Sequence, residues 1–247
     1  MTHLVFLHGL GGGHHAWDRQ LPYFAELGYA AHAWDQPGYG HSPMVEPYDF
    51  EQVAAALRRL IESLGGEPVV LVGHSMGGMV AQEAYARFPG LIKGLVLGFT
   101  SSAFGGGSAE FVRQFVAARL GPLDEGRTMP ELAASLMPKM RGAKSDPKGL
   151  EHAQGIMSSI PPETYRNAVR LLTTFDRKAN LGNIACPTLL VAGSDDRTAP
   201  PSVMEKMASA IPAAQYRVLA GCGHLGPMDQ PETFNALLRD FLATRGL

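Results

Sequence analysis

Residues 69–78, which read VVLVGHSMGG, constrain the fold of this chain more than any other stretch. The apolar run before Gly73 is rich in β-branched valine and too short for a helix, whereas residues 79–86 carry a helical pattern. Ser75 stands between the two. The sequence therefore predicts a buried strand, a sharp turn at Ser75 and the start of a helix.

The glycines on either side of Ser75 form the pattern G-x-S-x-G. A serine in such a turn exposes its hydroxyl only if the neighbouring strand and helix backbones pass close to it, and a Cβ at position 73 or 77 would obstruct that approach. Ser75 is therefore a candidate nucleophile. Glycine and serine are common, so the alternative for this pattern alone is a glycine-rich turn without chemistry.

Length and charge exclude several classes of protein. The chain has 247 residues, enough to bury one large core, and 45% of them are hydrophobic. A net charge of -2 gives no general attraction to nucleic acid or to an anionic membrane. The apolar run at residues 4–7 is too short for a signal peptide or a membrane span, so we expect a cytoplasmic protein. Cys186 and Cys222 are expected to be buried and unpaired.

The order of elements indicates an α/β fold with a mostly parallel sheet of about six strands, covered by helices on both faces. Strand patterns occur at residues 3–7, 29–34, 69–72, 92–99, 186–193 and 215–219, and helical patterns at 16–27, 49–64, 79–86 and 231–242.

Residues 101–180 show no strand pattern, and helices are predicted there at 111–120, 129–140, 147–156 and 162–175. We therefore expect an α/β core made of residues 1–100 and 181–247, with residues 101–180 inserted as a helical cap. Gly105, Gly106 and Gly107 are interpreted as a flexible hinge into this insertion.

Two further strand ends supply partners for the serine. Asp195 and Asp196 follow the strand at 186–193, and His224 follows the strand at 215–219. The carboxyl ends of parallel strands meet at one edge of a sheet, and a serine hydroxyl needs a base and a group that orients the base. We expect Ser75, His224 and one of the two aspartates to meet there.

The loop after the first strand, His8–Gly13, contains four glycines, which leave backbone N–H groups uncovered. A phosphate site would need a P-loop or a dinucleotide-binding pattern, and the sequence has neither. The loop is better interpreted as half of an oxyanion hole, in which the N–H groups of Leu10 and Met76 bind the developing negative charge.

These motifs, His-Gly at residues 8–9, GHSMGG at 73–78, GSDD at 193–196 and Gly-His at 223–224, resemble in order and spacing those of α/β-hydrolase-fold serine hydrolases. The resemblance covers essentially the whole chain. In that family the acid usually falls three residues after the strand-end glycine, which selects Asp196; the alternative is that Asp195 acts and Asp196 only closes the turn.

The family commonly places two strands before the His-Gly strand, and this chain leaves no room for them. The resemblance therefore implies an α/β-hydrolase fold that lacks the first two strands. The exposed edge of the sheet would be shielded by a loop or by a second subunit, which leaves a homodimer open.

The resemblance is closest to small carboxylesterases and 3-oxoadipate enol-lactonases. It implies cleavage of a small ester or lactone through an acyl-enzyme on Ser75, with His224 as base, Asp196 as orienting acid and no cofactor. The alternatives are an enol-lactonase or carbon–carbon bond hydrolase of aromatic degradation, and a ligand-binding protein of this fold without catalysis.

Several histidines, methionines and arginines lie outside these motifs. Adjacent His14 and His15 are expected to point apart and have no further ligands in the sequence, so no metal site is predicted. His74 is expected to pack beneath the serine turn, and His8 to brace its loop. The insertion methionines, Met129, Met137, Met140 and Met157, are expected in its core, and the alternative is that they line a pocket. Three insertion arginines are candidates to hold a substrate carboxylate, although such charges more often belong to a solvated helix face: Arg113, Arg119 and Arg141.

Overall fold

The computed structural model of the protein describes residues 1–105 and 108–247. Within these ranges six strands form one sheet in the order β2-β1-β3-β4-β5-β6, and each neighbouring pair is parallel. The strands are β1 (His3–Leu7), β2 (Ala30–Trp34), β3 (Val69–His74), β4 (Ile92–Gly98), β5 (Thr188–Gly193) and β6 (Gln215–Leu219). The predicted fold class, a parallel sheet of about six strands, is confirmed.

Helices surround this sheet. They are α1 (Leu21–Glu26), α2 (Phe50–Ser63), α3 (Met76–Arg87), α4 (Ala109–Asp124), α5 (Met129–Met140), α6 (Pro147–Ser158), α7 (Pro162–Leu172), α8 (Pro201–Ala210), α9 (Gly226–Asp229) and α10 (Pro231–Arg245). No helix within the described ranges is long and apolar enough to cross a lipid bilayer.

The core lies along the central strands. Every residue of β3 and of β5 is buried, as expected for strands that are covered on both faces. The last strand is at the edge of the sheet, and Val218 on it is exposed.

The predicted helix over residues 16–27 is wrong as a continuous element. The structure has a 3₁₀ helix at His14–Trp17 and a separate helix α1 that begins at Leu21. Pro22 lies in the first turn of α1, where its missing N–H breaks no hydrogen bond, so proline fixes a helix start at this point.

Four helices, α4 to α7, lie between β4 and β5, where the sequence predicts an insertion. The two ends of this segment are joined, since Ala103 and Asp176 form an antiparallel bridge and Arg177 N–H donates to the Ser102 carbonyl oxygen at 2.7 Å. Arg177 also pairs with buried Glu83 on α3. Gly106 and Gly107 of the predicted hinge lie outside the described residues. The division of the chain into an α/β core and a helical cap stays a prediction.

Candidate active site

The turn between β3 and α3 holds Ser75 at φ 53° and ψ −117°, a left-handed conformation that is costly for a residue with a side chain. A Cβ on Gly77 would run into the backbone of Leu7, and one on Gly73 would lie 2.5 Å from the Gly77 carbonyl oxygen. The Ser75 N–H donates to the Gly98 carbonyl oxygen at 2.9 Å. The crowding inferred from the two glycines is therefore present.

Three predicted residues from three strand ends form a chain of contacts. His224 Nε2 lies 3.0 Å from Ser75 Oγ, and His224 Nδ1 lies 2.8 Å from Asp196 Oδ2. The other oxygen of Asp196 accepts hydrogen bonds from the N–H groups of Thr198 and Ala199, at 2.7 and 3.0 Å. Asp196 and His224 are both buried.

The charge on Asp196 fixes the tautomer of His224. Burial acts to raise the pKa of Asp196, but the charge and hydrogen bond of His224, with the two backbone N–H groups, outweigh it and hold that pKa below its usual value. An ionised carboxylate only accepts, so His224 Nδ1 carries the proton. Its Nε2 lone pair then faces the Ser75 hydroxyl, the arrangement that a general base requires.

Asp195 points away from the imidazole. Its two oxygens accept hydrogen bonds from Ala143 N–H and Ser194 Oγ, both at 2.8 Å, and these bonds lower its pKa. Of the two aspartates that the sequence offers, Asp196 is therefore the one that contacts His224.

His74 lies beneath the turn, as expected, and it also contacts the base. Its Nε2–H donates to the carbonyl oxygen of His224 at 2.7 Å, and the two ring centroids are 5.3 Å apart. Burial and the nearby His224 lower the pKa of His74 to about 3, so the ring stays neutral. Sequence reasoning missed this link, because nothing in the sequence shows which backbone group lies above position 74.

His8 holds the loop that contains Leu10. Its Nδ1–H donates to the Gly9 carbonyl oxygen at 2.8 Å, while Nε2 accepts the N–H of Gln36 at 3.1 Å. Burial lowers the pKa of His8 to about 4, which keeps this neutral tautomer. Tyr39 Oη donates to the Leu10 carbonyl oxygen at 2.8 Å. The expectation that His8 braces the loop agrees with these contacts.

The predicted oxyanion donors are free to bind a ligand. Met76 is the first residue of α3, where an N–H has no helical partner. Among the hydrogen bonds of residues 1–105 and 108–247, neither Leu10 N–H nor Met76 N–H is a donor. That they serve as an oxyanion hole stays a prediction.

A short segment that begins at the last residue of α5, residues 140–146, lies against the loop of His224; we name it the strap. The His224 N–H donates to the Met140 carbonyl oxygen, and Lys144 N–H donates to the Gly221 carbonyl oxygen, both at 2.8 Å. A Cβ on Gly223 would lie 2.6 Å from the Arg141 carbonyl carbon. The backbones of the strap and of the histidine loop are therefore in direct contact.

Asp229 anchors the other end of the strap. It is buried, and its carboxylate accepts from Ser145 Oγ at 2.6 Å and from Asp146 N–H at 2.8 Å. Burial raises the pKa of Asp229 above its usual value despite these bonds. The sequence gives no signal for this contact, because Asp229 is more than eighty positions away in the chain.

A cavity of about 1210 Å³ opens above Ser75 and His224. Its walls are mainly apolar, and they include Met137, Met140 and Met157 of the inserted helices. Met137 and Met157 are also buried in the core, so the two roles that the sequence leaves open for these methionines are both present.

The three candidate arginines differ in exposure and in their contacts. Arg113 is exposed and pairs with Glu110, Arg141 is exposed and is not part of the cavity wall, and Arg119 lines the cavity. Cys222 is buried, whereas Cys186 is partly exposed, contrary to expectation; both thiols are free. In the described part of the chain, no group of three or more His, Cys, Asp or Glu residues is placed to hold a metal ion.

Comparison with known sequences decides the family. Residues 2–231 match the family described as alpha/beta hydrolase fold. The chain belongs to this α/β-hydrolase family. The resemblance drawn from the motifs is confirmed.

Individual relatives of this α/β-hydrolase-fold protein carry hydrolase names. A protein provisionally named carbamate hydrolase RutD, from Stutzerimonas stutzeri, is 31% identical over 97% of this chain and 91% of its own. A thermophilic esterase from Thermogutta terrifontis superposes with a TM-score of 0.88 at 26% identity, covering 99% of this chain and 90% of that chain. The enol-lactonase from Burkholderia xenovorans LB400, at 24% identity, shares the fold with a TM-score of 0.87 over 98% of this chain and 91% of that chain.

Proposed function

We propose that this protein is a serine hydrolase that cleaves a small carboxylic ester or lactone through an acyl-enzyme on Ser75. The observation that carries the proposal is the contact of Ser75 Oγ with His224 Nε2 at 3.0 Å, in a histidine whose Nδ1 is held by Asp196 at 2.8 Å. The hydroxyl faces a cavity large enough for a small organic substrate.

In the first step His224 Nε2 takes the proton of Ser75, and Oγ bonds to the acyl carbon of the substrate. The carbonyl oxygen becomes an oxyanion, which the N–H groups of Leu10 and Met76 bind; each such donor contributes about 3 kcal/mol to lowering the barrier. The C–O bond then breaks as His224 returns the proton to the leaving alcohol oxygen. For a lactone, that alcohol stays attached to the acyl chain.

In the second step a water molecule replaces the alcohol. His224 Nε2 takes a proton from the water, whose oxygen bonds to the acyl carbon and forms the oxyanion again. The bond to Ser75 Oγ breaks as His224 returns the proton to the serine. Asp196 stays ionised throughout and stabilises the imidazolium that forms in each step.

The relatives support this class of reaction without selecting a substrate. In the hydrolysis of an ester and in that of a carbamate, a nucleophile attacks a carbonyl carbon and the bond from this carbon to a heteroatom breaks. Apolar walls around the serine favour the acyl chain of an ester or lactone.

The test is hydrolysis of p-nitrophenyl esters of graded acyl length by the wild type and by Ser75→Ala, together with labelling by a fluorophosphonate. We expect activity and labelling only in the protein with Ser75. Ser159→Ala, an exposed serine whose hydroxyl bonds to Ile156, is the matched control and should retain both. A wild type that hydrolyses neither these esters nor simple lactones, and that takes no label, would refute the proposal in favour of a non-catalytic ligand-binding protein.

A further inference from the structure

The charged residues around the cavity all have one sign. The wall includes Arg119, Lys178, Arg197 and Lys206, and no Asp or Glu contributes to it among the described residues. Lys178, Arg197 and Lys206 are exposed, so water screens them. A wall of this kind attracts anions and repels cations.

Arg119 differs from the other three cations because its side chain is sunk into the apolar wall. It lies on α4, and its guanidinium carbon is 3.6 Å from the centroid of the Phe115 ring. Its Nε is shielded from solvent and has no hydrogen-bond partner in the part of the chain that the structure describes. Burial lowers the pKa of Arg119, the direction expected for a desolvated cation.

Other arginines near Arg119 are neutralised by carboxylates. Arg113, on the same helix, pairs with Glu110, and Arg166 on α7 pairs with Asp124. Within the described ranges no carboxylate forms an ion pair with Arg119. A partly buried cation without a counter-charge destabilises the fold, and a ligand that supplies the missing charge relieves this cost. The contact with Phe115 offsets only part of it.

Tyr165 supplies a second donor beside Arg119. It is part of the cavity wall although its side chain is fully buried, and across residues 1–105 and 108–247 the only polar group that acts on its hydroxyl is Arg119. Burial raises the pKa of Tyr165 to about 12, and the nearby charge of Arg119 opposes this rise. The hydroxyl therefore keeps its proton and remains a donor at neutral pH.

We propose that Arg119, with the Tyr165 hydroxyl, binds a carboxylate that the substrate carries away from its scissile bond. The inference rests on the proposed hydrolase function and names its substrate class: hemiesters of dicarboxylic acids, or lactones that bear a carboxylate. A guanidinium offers parallel N–H donors that match the two oxygens of a carboxylate, and Tyr165 adds a third donor. The apolar wall between this pair and Ser75 receives the intervening carbon chain.

The test compares monoethyl esters of dicarboxylic acids, from succinate to suberate, with ethyl esters of monocarboxylic acids of equal chain length. The measured quantity is the ratio of kcat/KM for the charged ester to that for the neutral ester. We expect this ratio to exceed one for the wild type at its preferred length, and to fall by about 10- to 100-fold in Arg119→Met. Arg119→Lys should recover part of it. Arg113→Met, on the exposed face of the same helix, is the control and should keep the wild-type ratio.

Binding of free suberate and of free adipate, measured by calorimetry on the wild type and on Arg119→Met, separates the two proposals. Binding that is lost in Arg119→Met supports the carboxylate site even if no ester is hydrolysed, in which case only the hydrolase function fails. Hydrolysis of neutral esters with a ratio that Arg119→Met leaves unchanged overturns the carboxylate site while the hydrolase function stands. Equal dicarboxylate binding by both proteins overturns it as well.

Discussion

His74 donates a hydrogen bond of 2.7 Å from Nε2 to the backbone carbonyl oxygen of His224. The residue before the proposed nucleophile thereby holds the backbone of the proposed base. Position 74 thus links the ends of β3 and β6, which lie three strands apart in the sheet. Placement of the imidazole depends on this bond as well as on Asp196.

Replacement of His74 by phenylalanine keeps a ring but removes the donor. The His224 carbonyl group then loses a buried partner, which we expect to lower the free energy of unfolding by about 1–3 kcal/mol. Displacement of the imidazole should lower kcat by about 10- to 100-fold. Urea unfolding and ester kinetics measure the two effects. His74→Gln, whose amide also donates, should lose less of both; an equal loss in the two variants would argue that ring packing matters and the bond does not.

Asp196→Asn tests the choice between the two aspartates. The amide no longer favours the tautomer with Nδ1 protonated, so kcat should fall by about 10⁴-fold while the fold is retained. Asp195→Asn removes only contacts to the strap and to Ser194, and its kcat should stay within about tenfold of the wild type. If kcat fell more in Asp195→Asn than in Asp196→Asn, Asp195 would be the orienting acid.

Acid should destabilise the protein through its neutral buried histidines. The folded-state pKa values of His8 and His74 are lowered to about 4 and about 3, whereas a histidine in the unfolded chain titrates near 6.5. Below about pH 6.5 the unfolded chain binds two protons that the folded protein does not, so stability falls as pH falls. Each histidine contributes a slope of about 1.4 kcal/mol per pH unit.

Urea unfolding between about pH 5 and about pH 7.5 measures this slope. His74→Gln removes one of these titrating groups and should reduce the slope by about 1.4 kcal/mol per pH unit. A slope that His74→Gln leaves unchanged would show that His74 is protonated in the folded protein.

Gly223→Ala should separate the strap from the histidine loop. The new Cβ would meet the Met140 carbonyl oxygen and lie 2.6 Å from the Arg141 carbonyl carbon. We expect a loss of about 1–3 kcal/mol in the free energy of unfolding, with a lower kcat because His224 is on the same loop. Gly155→Ala, on α6 with open space around it, is the control and should raise stability by about 0.5–1 kcal/mol. Similar stability changes in both variants would contradict the contact.

The sheet and the meeting of Ser75, Asp196 and His224 could be predicted because they follow from pattern and topology. Apolar runs locate the strands, and parallel strands bring their carboxyl ends to one edge. The choice of Asp196 over Asp195 needed the family pattern. Both residues follow β5, and the direction of each side chain depends on a turn that periodicity does not describe.

Contacts that do not follow from the ends of the strands could not be predicted. The bond from His74 to His224 and the anchor of Ser145 on Asp229 join positions with no shared periodicity. Arg119 was indistinguishable in sequence from Arg113, because each lies on a helix with both polar and apolar neighbours. Only the three-dimensional structure separates the two, because Arg119 packs on Phe115 of the same helix and lines the cavity, whereas Arg113 is exposed and pairs with Glu110.

Because of the strap, the position of His224 depends on the position of α5. The Met140 carbonyl oxygen at the end of α5 accepts the His224 N–H, and Ala143 N–H holds Asp195 beside the acid. Any opening that lifts this end of α5 removes an anchor of the base. These two hydrogen bonds do not involve α4, which carries Phe111 and Arg119 in the cavity wall, so a displacement of α4 would leave the anchor of His224 in place.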